Sequence, residues 1–336
     1  MTERALQSYD GKRVVVTGAG YIAAAIVRLL SDADCEIVML RRASALALPK
    51  RVGRASIVDM AQGYWDRGAW QAAISGACAV IHLAAQTGAR QADSDWVADY
   101  HGSVAPLALL LDACHAARTA PVVAYASSAT LAGSPERLPA DESTPTQLFG
   151  VYEIHKMLGE QYLANAVEKG AVRGAALRIP NVYGPGPVSS SGERGVLNRI
   201  VRSAMQTGKV SIYGDGAMMR DYLYVDDVAA AFLAVAPNVK ALRLPAYVLA
   251  GDAPLSLTDA FNRAARSVEA ATGRIVTVAH VPSPAGMQPV DFRSYYGNAR
   301  AFRDATGWRP AVDFETGLRR TVSAMQSESE AGAWPR

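Results

Sequence analysis

Short apolar runs alternate with longer amphipathic stretches through the N-terminal half of the chain. Arg13–Thr17 (RVVVT) is β-branched and bounded by Gly11 and Gly18, which predicts a buried strand. Ile22–Leu30 follows as a helix with Ile26, Leu29 and Leu30 on one face. Glu36–Leu40, Ala55–Val58, Ala79–Leu83, Pro121–Ala126 and Gly174–Ile179 read as further strands, and Val104–Ala117 and Tyr152–Ala166 as helices. Strands that alternate with helices make parallel βαβ units, so the expected class is α/β with a doubly wound parallel sheet. Such strands are buried on both faces, which accounts for continuous apolar runs in place of alternation. After Ile179 the texture changes. Residues 180–192 (PNVYGPGPVSSSG) are rich in Pro, Gly and Ser, and the alternation beyond them is less regular. A smaller second unit is expected there.

Composition narrows the class without naming a chemistry. The chain has 336 residues, with 34 Lys+Arg against 31 Asp+Glu and a net charge of +3. The signs are interspersed, so no basic face for nucleic acid or membrane is expected. Three scattered cysteines, Cys35, Cys78 and Cys114, make neither a disulfide framework nor a CxxC metal site, and suit a reducing compartment. The first ten residues lack an apolar signal-peptide core, and no apolar run approaches the ~18 to 20 residues that span a bilayer. A cytoplasmic protein with no metal is expected.

The turn after the first strand reads Thr17-Gly18-Ala19-Gly20-Tyr21-Ile22-Ala23, a G-x-G-x-x-A pattern. Small residues at these places allow a tight turn, close approach of backbone to a pyrophosphate, and helix-on-strand packing. The anion then lies at the positive end of the helix. The plainer alternative is a glycine-containing turn. The second strand ends Met39-Leu40-Arg41-Arg42, without the carboxylate that binds a ribose 2′-hydroxyl. Arginines there suit a 2′-phosphate, so NADP(H) is favoured and NAD(H) remains open; two surface arginines are the plainer reading. Asp59 is placed to face the adenine or to cap its strand.

Tyr152-Glu153-Ile154-His155-Lys156 is Y-x-x-x-K at a helix start, which sets Tyr152 and Lys156 one turn apart on one face. Tyrosine with a pKa of about 10 is a poor base at neutral pH. A neighbouring ammonium and a cationic nicotinamide favour its ionised form. Ser127-Ser128 follows the fifth strand, where a hydroxyl can bond the substrate oxygen. Each signal is weak alone; their order and placement strengthen them together.

With those motifs, the chain resembles an extended short-chain dehydrogenase/reductase of the nucleotide-sugar epimerase/dehydratase family from about Lys12 to Pro310. The likeness also covers His82–Ala85, Ser127–Thr130, Asn181–Gly186, Ile212–Gly216 and Arg220–Ala229. It implies a Rossmann-type domain from residues 1–180 and 222–248, a smaller nucleotide-sugar-binding cap from 181–221 and 249–326, and a tail at 327–336. Tyr152 would be the acid/base, Lys156 its partner and a ribose ligand, and Ser128 the hydroxyl that polarises the substrate. Gly18, Gly20, Tyr21, Ile22, Arg41, Arg42, Asp59, Met60, Leu83, Ala84, Ala85 and Ile179 would complete the cofactor cradle. Ser127, Asn181, Val196, Arg220, Asp291 and Tyr295 would face the sugar nucleotide, with Arg220 on the diphosphate and Asp291 near the nucleotide ribose. A homodimer built from the helices Val104–Ala117 and Tyr152–Ala166 is also implied.

The chain departs from the family pattern at several places. Arg41 replaces a usual Asp, Ser103 a usual Asn that supports the active-site helix, and Gln288 a usual second diphosphate arginine. Ala132 replaces a common Tyr, which predicts a wider pocket there. Ser128-Ala129-Thr130 lacks the Asp-Glu pair that resembles 4,6-dehydratases, so elimination is disfavoured. The expected reaction is 4-epimerisation of an NDP-hexose, with an NADPH-dependent 4-ketosugar reductase as the alternative. A dehydratase, or a non-catalytic NADP(H)-binding chain, ranks below both.

Overall fold

The computed structural model describes residues 3–42, 48–86, 88–187, 195–283 and 289–328. Seven strands are labelled here: β1 (Arg13–Thr17), β2 (Glu36–Leu40), β3 (Arg51–Val52), β4 (Ala55–Met60), β5 (Ala77–His82), β6 (Val122–Ser128) and β7 (Arg173–Ile179). With the strand Ala246–Val248 they form one eight-stranded sheet, in the order Ala246–Val248, β7, β6, β5, β1, β2, β4, β3. All neighbouring pairs are parallel except the β3–β4 edge hairpin. The chain leaves β1 for β2 on one side and later returns to β5 on the other. That reversal is the switch point at which doubly wound sheets open a crevice beyond their strand C-termini.

The apolar runs acquire a direct explanation in the burial. Val14 and Val16 of β1 face one hydrophobic cluster and Val15 the other. The first cluster contains the helices Tyr21–Leu30 and Val225–Val235 and continues into Leu257–Thr272 and Phe314–Glu328. The second packs Trp70, Leu107, Leu110 and Tyr125 against the opposite face. One cluster therefore joins the sheet to the C-terminal helices.

Several helices escape the periodicity reading, two of them flanking β5. Arg67–Ile74 is started by Asp66, whose side chain accepts from Gly68 N, and is anchored by buried Trp70. Trp96–Ser103 is started by Asp95, which accepts from Ala98 N. Both are short and hold together by caps and one buried face, a signal that a longer apolar period does not carry. The last helix extends to Glu328, two residues into the expected tail; Gln288 and residues 329–336 lie outside the described residues. The C-terminal part adds three two-stranded ribbons: Asn181–Tyr183 with Tyr222–Tyr224, Lys209–Tyr213 with Thr277–Val281, and Met219–Arg220 with Leu255–Ser256. Among the described residues no helix is long and apolar enough to cross a membrane.

Candidate active site

The glycine turn sits at the end of β1. Gly18 has φ +89°, a conformation that a side chain would strain, and its N–H donates to Leu40 O at 3.0 Å. Gly20 precedes the helix Tyr21–Leu30 in extended conformation, and a Cβ there would meet nothing within 4 Å. No side chain caps that helix and no acidic residue lies in its first turn. Bare N–H groups facing open space fit a pyrophosphate. Ala23, the last small position, is fully buried in the helix-on-sheet core. Tyr21 donates to Val182 O at 3.4 Å, and a Cβ on Gly186 would strike Tyr21, so the segment 181–186 lies directly beside the turn.

The end of β2 differs from expectation. Arg41 is only 3% exposed, and its Nε and Nη2 donate to the two carboxylate oxygens of Asp59, each at 2.7 Å. A bidentate pair satisfies the guanidinium fork and the carboxylate together. Neither Arg41 as a 2′-phosphate ligand nor Asp59 as a free adenine-facing acid has the uncommitted charge that the sequence reading assigned. Arg42 is exposed beside it, and Met60 closes β4 half-buried.

Thr17 organises the floor between β1 and β5. Its Oγ1 accepts the N–H groups of Leu83 and Ala84, both at 3.0 Å, and lies 3.2 Å from His82 Nδ1. With both lone pairs used, the hydroxyl proton goes to Nδ1, which leaves the ring proton on Nε2. Nε2 is buried without a partner, and burial drives the His82 pKa down to about 3. His82 is thus a neutral structural residue, and Leu83, Ala84 and Ala85 are presented at the crevice.

Tyr152 and Lys156 lie on the first turns of the helix Val151–Glu168. Lys156 is buried, donates from Nζ to Ala126 O at 2.6 Å, and lies 5.8 Å from the Tyr152 ring centre. Burial lowers its pKa to about 8, while the carboxylates of Asp99 and Glu160 oppose the shift. Ser128 ends β6. Its Oγ lies 3.0 Å from Thr130 Oγ1 and accepts the Thr130 N–H at 3.2 Å. Thr130 in turn bonds Glu153, a buried carboxyl whose pKa burial raises.

Ser127 requires a correction. Its buried hydroxyl donates to Glu160 Oε1 at 2.5 Å, and Glu160 is clamped by Arg178 through bonds of 2.9 and 2.8 Å. It braces β6 and β7 against the helix and has no hydroxyl left to offer a substrate. Two more supports were not foreseen in these roles. His155 Nδ1 pairs with buried Asp99 at 2.6 Å, and Ser103 Oγ accepts the Gln86 N–H at 3.1 Å.

On the substrate side the pieces converge from distant sequence. Asn181 Nδ2 donates to Asp221 O at 3.2 Å. Asp221 accepts from Gly251 N and Gly297 N, and burial raises its pKa to about 6. Arg220 donates to the carbonyls of Arg293 and Asp291, and bridges to Tyr295. Tyr295 is buried in a small cluster with Ala129, Ala132 and Ala140. Ala132, where a wider pocket is expected, belongs to this same buried cluster. Val196 opens the helix Val196–Thr207 and is exposed; Ile179 ends β7 half-buried. Glu153 is an addition to the expected set; it occupies a variable position of the Tyr152–Lys156 motif, and only tertiary contact with Thr130 reveals it. Among the described residues no group of three His, Cys, Asp or Glu side chains could hold a metal.

Residues 14–250 match the model of the NAD dependent epimerase/dehydratase family. Among curated proteins, a UDP-glucose 4-epimerase of Azospirillum brasilense is 28% identical, covering 97% of each chain. Another from Mycolicibacterium smegmatis is 28% identical over 75% of this chain and 77% of its own. Among solved structures, UDP-glucose 4-epimerase from Brucella ovis in complex with NAD superposes with a TM-score of 0.80 at 25% identity, over 93% of this chain and 98% of that one. The UDP-N-acetylglucosamine 4-epimerase of Methanobrevibacter ruminantium shares the fold at TM-score 0.82 and 23% identity, over 95% and 99% of the chains. With the match covering most of the chain, the protein belongs to the NAD dependent epimerase/dehydratase family.

Proposed function

We propose that this protein is a 4-epimerase of nucleoside-diphosphate hexoses, UDP-sugars first among them. The observation that carries the reading is the buried Lys156 anchored at Ala126 O beneath Tyr152, with Ser128 at the end of β6 and no carboxylate between Ser128 and Ala132. The two curated 4-epimerases, similar over most of this chain, support it. A bound nicotinamide supplies a reversible hydride acceptor, and Gly18, Gly20 and the Tyr21–Leu30 helix would hold its pyrophosphate. Tyr152 takes the proton of the C4 hydroxyl as the C4 hydrogen leaves as hydride, and returns a proton to the same oxygen after the sugar has turned and the opposite face of C4 has taken the hydride back. Lys156 holds positive charge near the phenol oxygen and favours its ionised form. Ser128 donates to the C4 oxygen and orients it. Arg220, Asn181 and Asp291 would retain the nucleotide while the sugar turns.

The cofactor of this reading is NAD(H). Arg41 is committed to Asp59, which removes one of the two charges that favoured a 2′-phosphate. Fluorescence titration is expected to show NADH binding at least as tightly as NADPH; a clear NADPH preference would overturn this part alone. A homodimer belongs to the same reading. Ala105–Ala117 buries most of its apolar positions within the protomer, whereas Val151–Glu168 leaves Ile154, Tyr162 and Val167 exposed. Light scattering that returns a monomer mass would refute it.

The reading is tested with a panel of UDP-sugars and their C4 epimers, without added cofactor, followed by product NMR. Interconversion by the native chain and its loss in Tyr152→Phe are expected. Turnover only of 4-keto sugars, with stoichiometric NADPH consumption, would replace the epimerase by the reductase.

A further inference from the structure

The Lys156 ammonium is a buried charge with few polar partners. Its Nζ donates to Ala126 O at 2.6 Å, and among the described residues it closes no ion pair. The carboxylates that act on it are committed elsewhere, Asp99 to His155 and Glu160 to Ser127 and Arg178. His82 on β5 is neutral, and the charge on Lys156 opposes its protonation. One hydrogen bond does not replace the hydration of an ammonium. Aromatic faces stand where further partners are missing. Nζ lies over the ring of Tyr125, 5.3 Å from its centre, and 5.8 Å from the centre of the Tyr152 ring. Both distances fall within the ~6 Å reach of a cation–π contact, which is strongest where water is excluded.

Tyr125 serves through its ring. It is 1% exposed in β6, and among the described residues its Oη has no hydrogen-bond partner. Burial raises its pKa, so the phenol stays neutral. The ring stacks on His82 at 6.0 Å, and Gly159 makes room for it, since a Cβ there would strike Oη. Gly159 follows Lys156 by three residues, so one helix face supplies both the ammonium and the space for the ring. An unmatched buried hydroxyl is destabilising, so the ring and not the hydroxyl accounts for an aromatic residue at this position.

We propose that Tyr125 is a positioning residue of the reaction, its ring face holding the Lys156 ammonium in place beside Tyr152. The inference rests on the acid–base reading of Tyr152 and Lys156 above. By stabilising the charged form, the ring keeps Lys156 able to favour the ionised Tyr152 at neutral pH. Asp99 and Glu160 act in the same direction, and burial opposes them.

The test varies the electrons of the ring and keeps its shape. Tyr125→Phe retains the face. Its pH–rate profile is expected to match the native one, and its thermal midpoint to be unchanged or higher, since the unmatched hydroxyl is gone. Phenylalanine with a fully fluorinated ring, incorporated at position 125, removes the negative face. It is expected to move the basic limb of kcat down by about one pH unit relative to Tyr125→Phe. The ionisation of Tyr152, read without turnover as the tyrosinate absorbance difference between each chain and its Tyr152→Phe counterpart, is expected to move up. If the fully fluorinated chain does not fold, a singly fluorinated ring is expected to give a smaller shift in the same directions. A basic limb and a tyrosinate titration that stay with those of Tyr125→Phe overturn the inference, because packing alone predicts that result. Where the native chain interconverts sugars, that outcome overturns the inference alone. A native chain without turnover overturns the epimerase reading, and the absorbance titration still decides the role of Tyr125.

Discussion

At the residue scale, the site depends on a cation kept where burial opposes it. Lys156 titrates near 8 in its buried setting, so its charge is present at neutral pH and declines as pH rises through that value. If the ammonium favours the ionised Tyr152, kcat is expected to fall above about pH 8; a pH–rate profile flat to pH 10 would contradict this role. Tyr152→Phe is expected to lower kcat by ~10³ or more with cofactor binding intact, since positioned acid–base groups contribute on that order. Single-turnover kinetics and a cofactor titration separate the two effects. Motif spacing revealed this pair because one helical turn is a local constraint. It could not reveal that Arg41 turns inward to Asp59, nor that Ser127 is spent on Glu160. Those outcomes depend on which partner the neighbouring strand or helix offers.

The strands were the most legible elements. Arg13–Thr17 and Glu36–Leu40 match their apolar runs residue for residue, because burial on both faces leaves no polar position to blur the ends. Short capped helices were not legible, and neither were the polar ties between elements. Thr17–His82 joins β1 to β5, and its acid sensitivity follows from the burial. His82 has a folded-state pKa near 3 against an ordinary 6.5, so the unfolded chain binds more protons between those values. Its contribution is complete above about 6.5 and is lost as pH falls toward 3. His82→Phe is expected to flatten the dependence of unfolding free energy on pH in that window, by up to ~1.4 kcal/mol per pH unit. Urea titrations at several pH values measure it, and an unchanged slope would contradict the neutral-histidine assignment. The tie through Glu160 carries a second expectation. Glu160→Ala strands Arg178 and should cost ~3–5 kcal/mol in the same assay.

At the scale of the whole molecule, the C-terminal third is fastened to the helix Val225–Val235 by particular bonds. Asp227 accepts from Ala311 N and Val312 N at 2.9 and 3.1 Å, and Trp308 Nε1 donates to Asp227 O at 3.0 Å. Asp227→Ala leaves two N–H groups unmatched and is expected to cost ~2–4 kcal/mol, read as a lower thermal midpoint. Sequence pattern gave this region only irregular texture, because its ribbons are two to five residues long and pair across large separations. The expected substrate-side residues Asn181, Arg220, Asp291 and Tyr295 lie there and are legible only through the family resemblance, whereas the glycine turn reads from local spacing. In the proposed epimerisation both halves would act together, C4 reaching Tyr152 while the nucleotide stays held at Arg220. Proton NMR of UDP-galactose incubated with the native protein in D₂O, without added cofactor, tests that account most directly. The account predicts UDP-glucose that retains protium at C4, because the hydrogen leaves and returns as hydride without solvent exchange. Deuterium at C4, or no UDP-glucose at all, would contradict it.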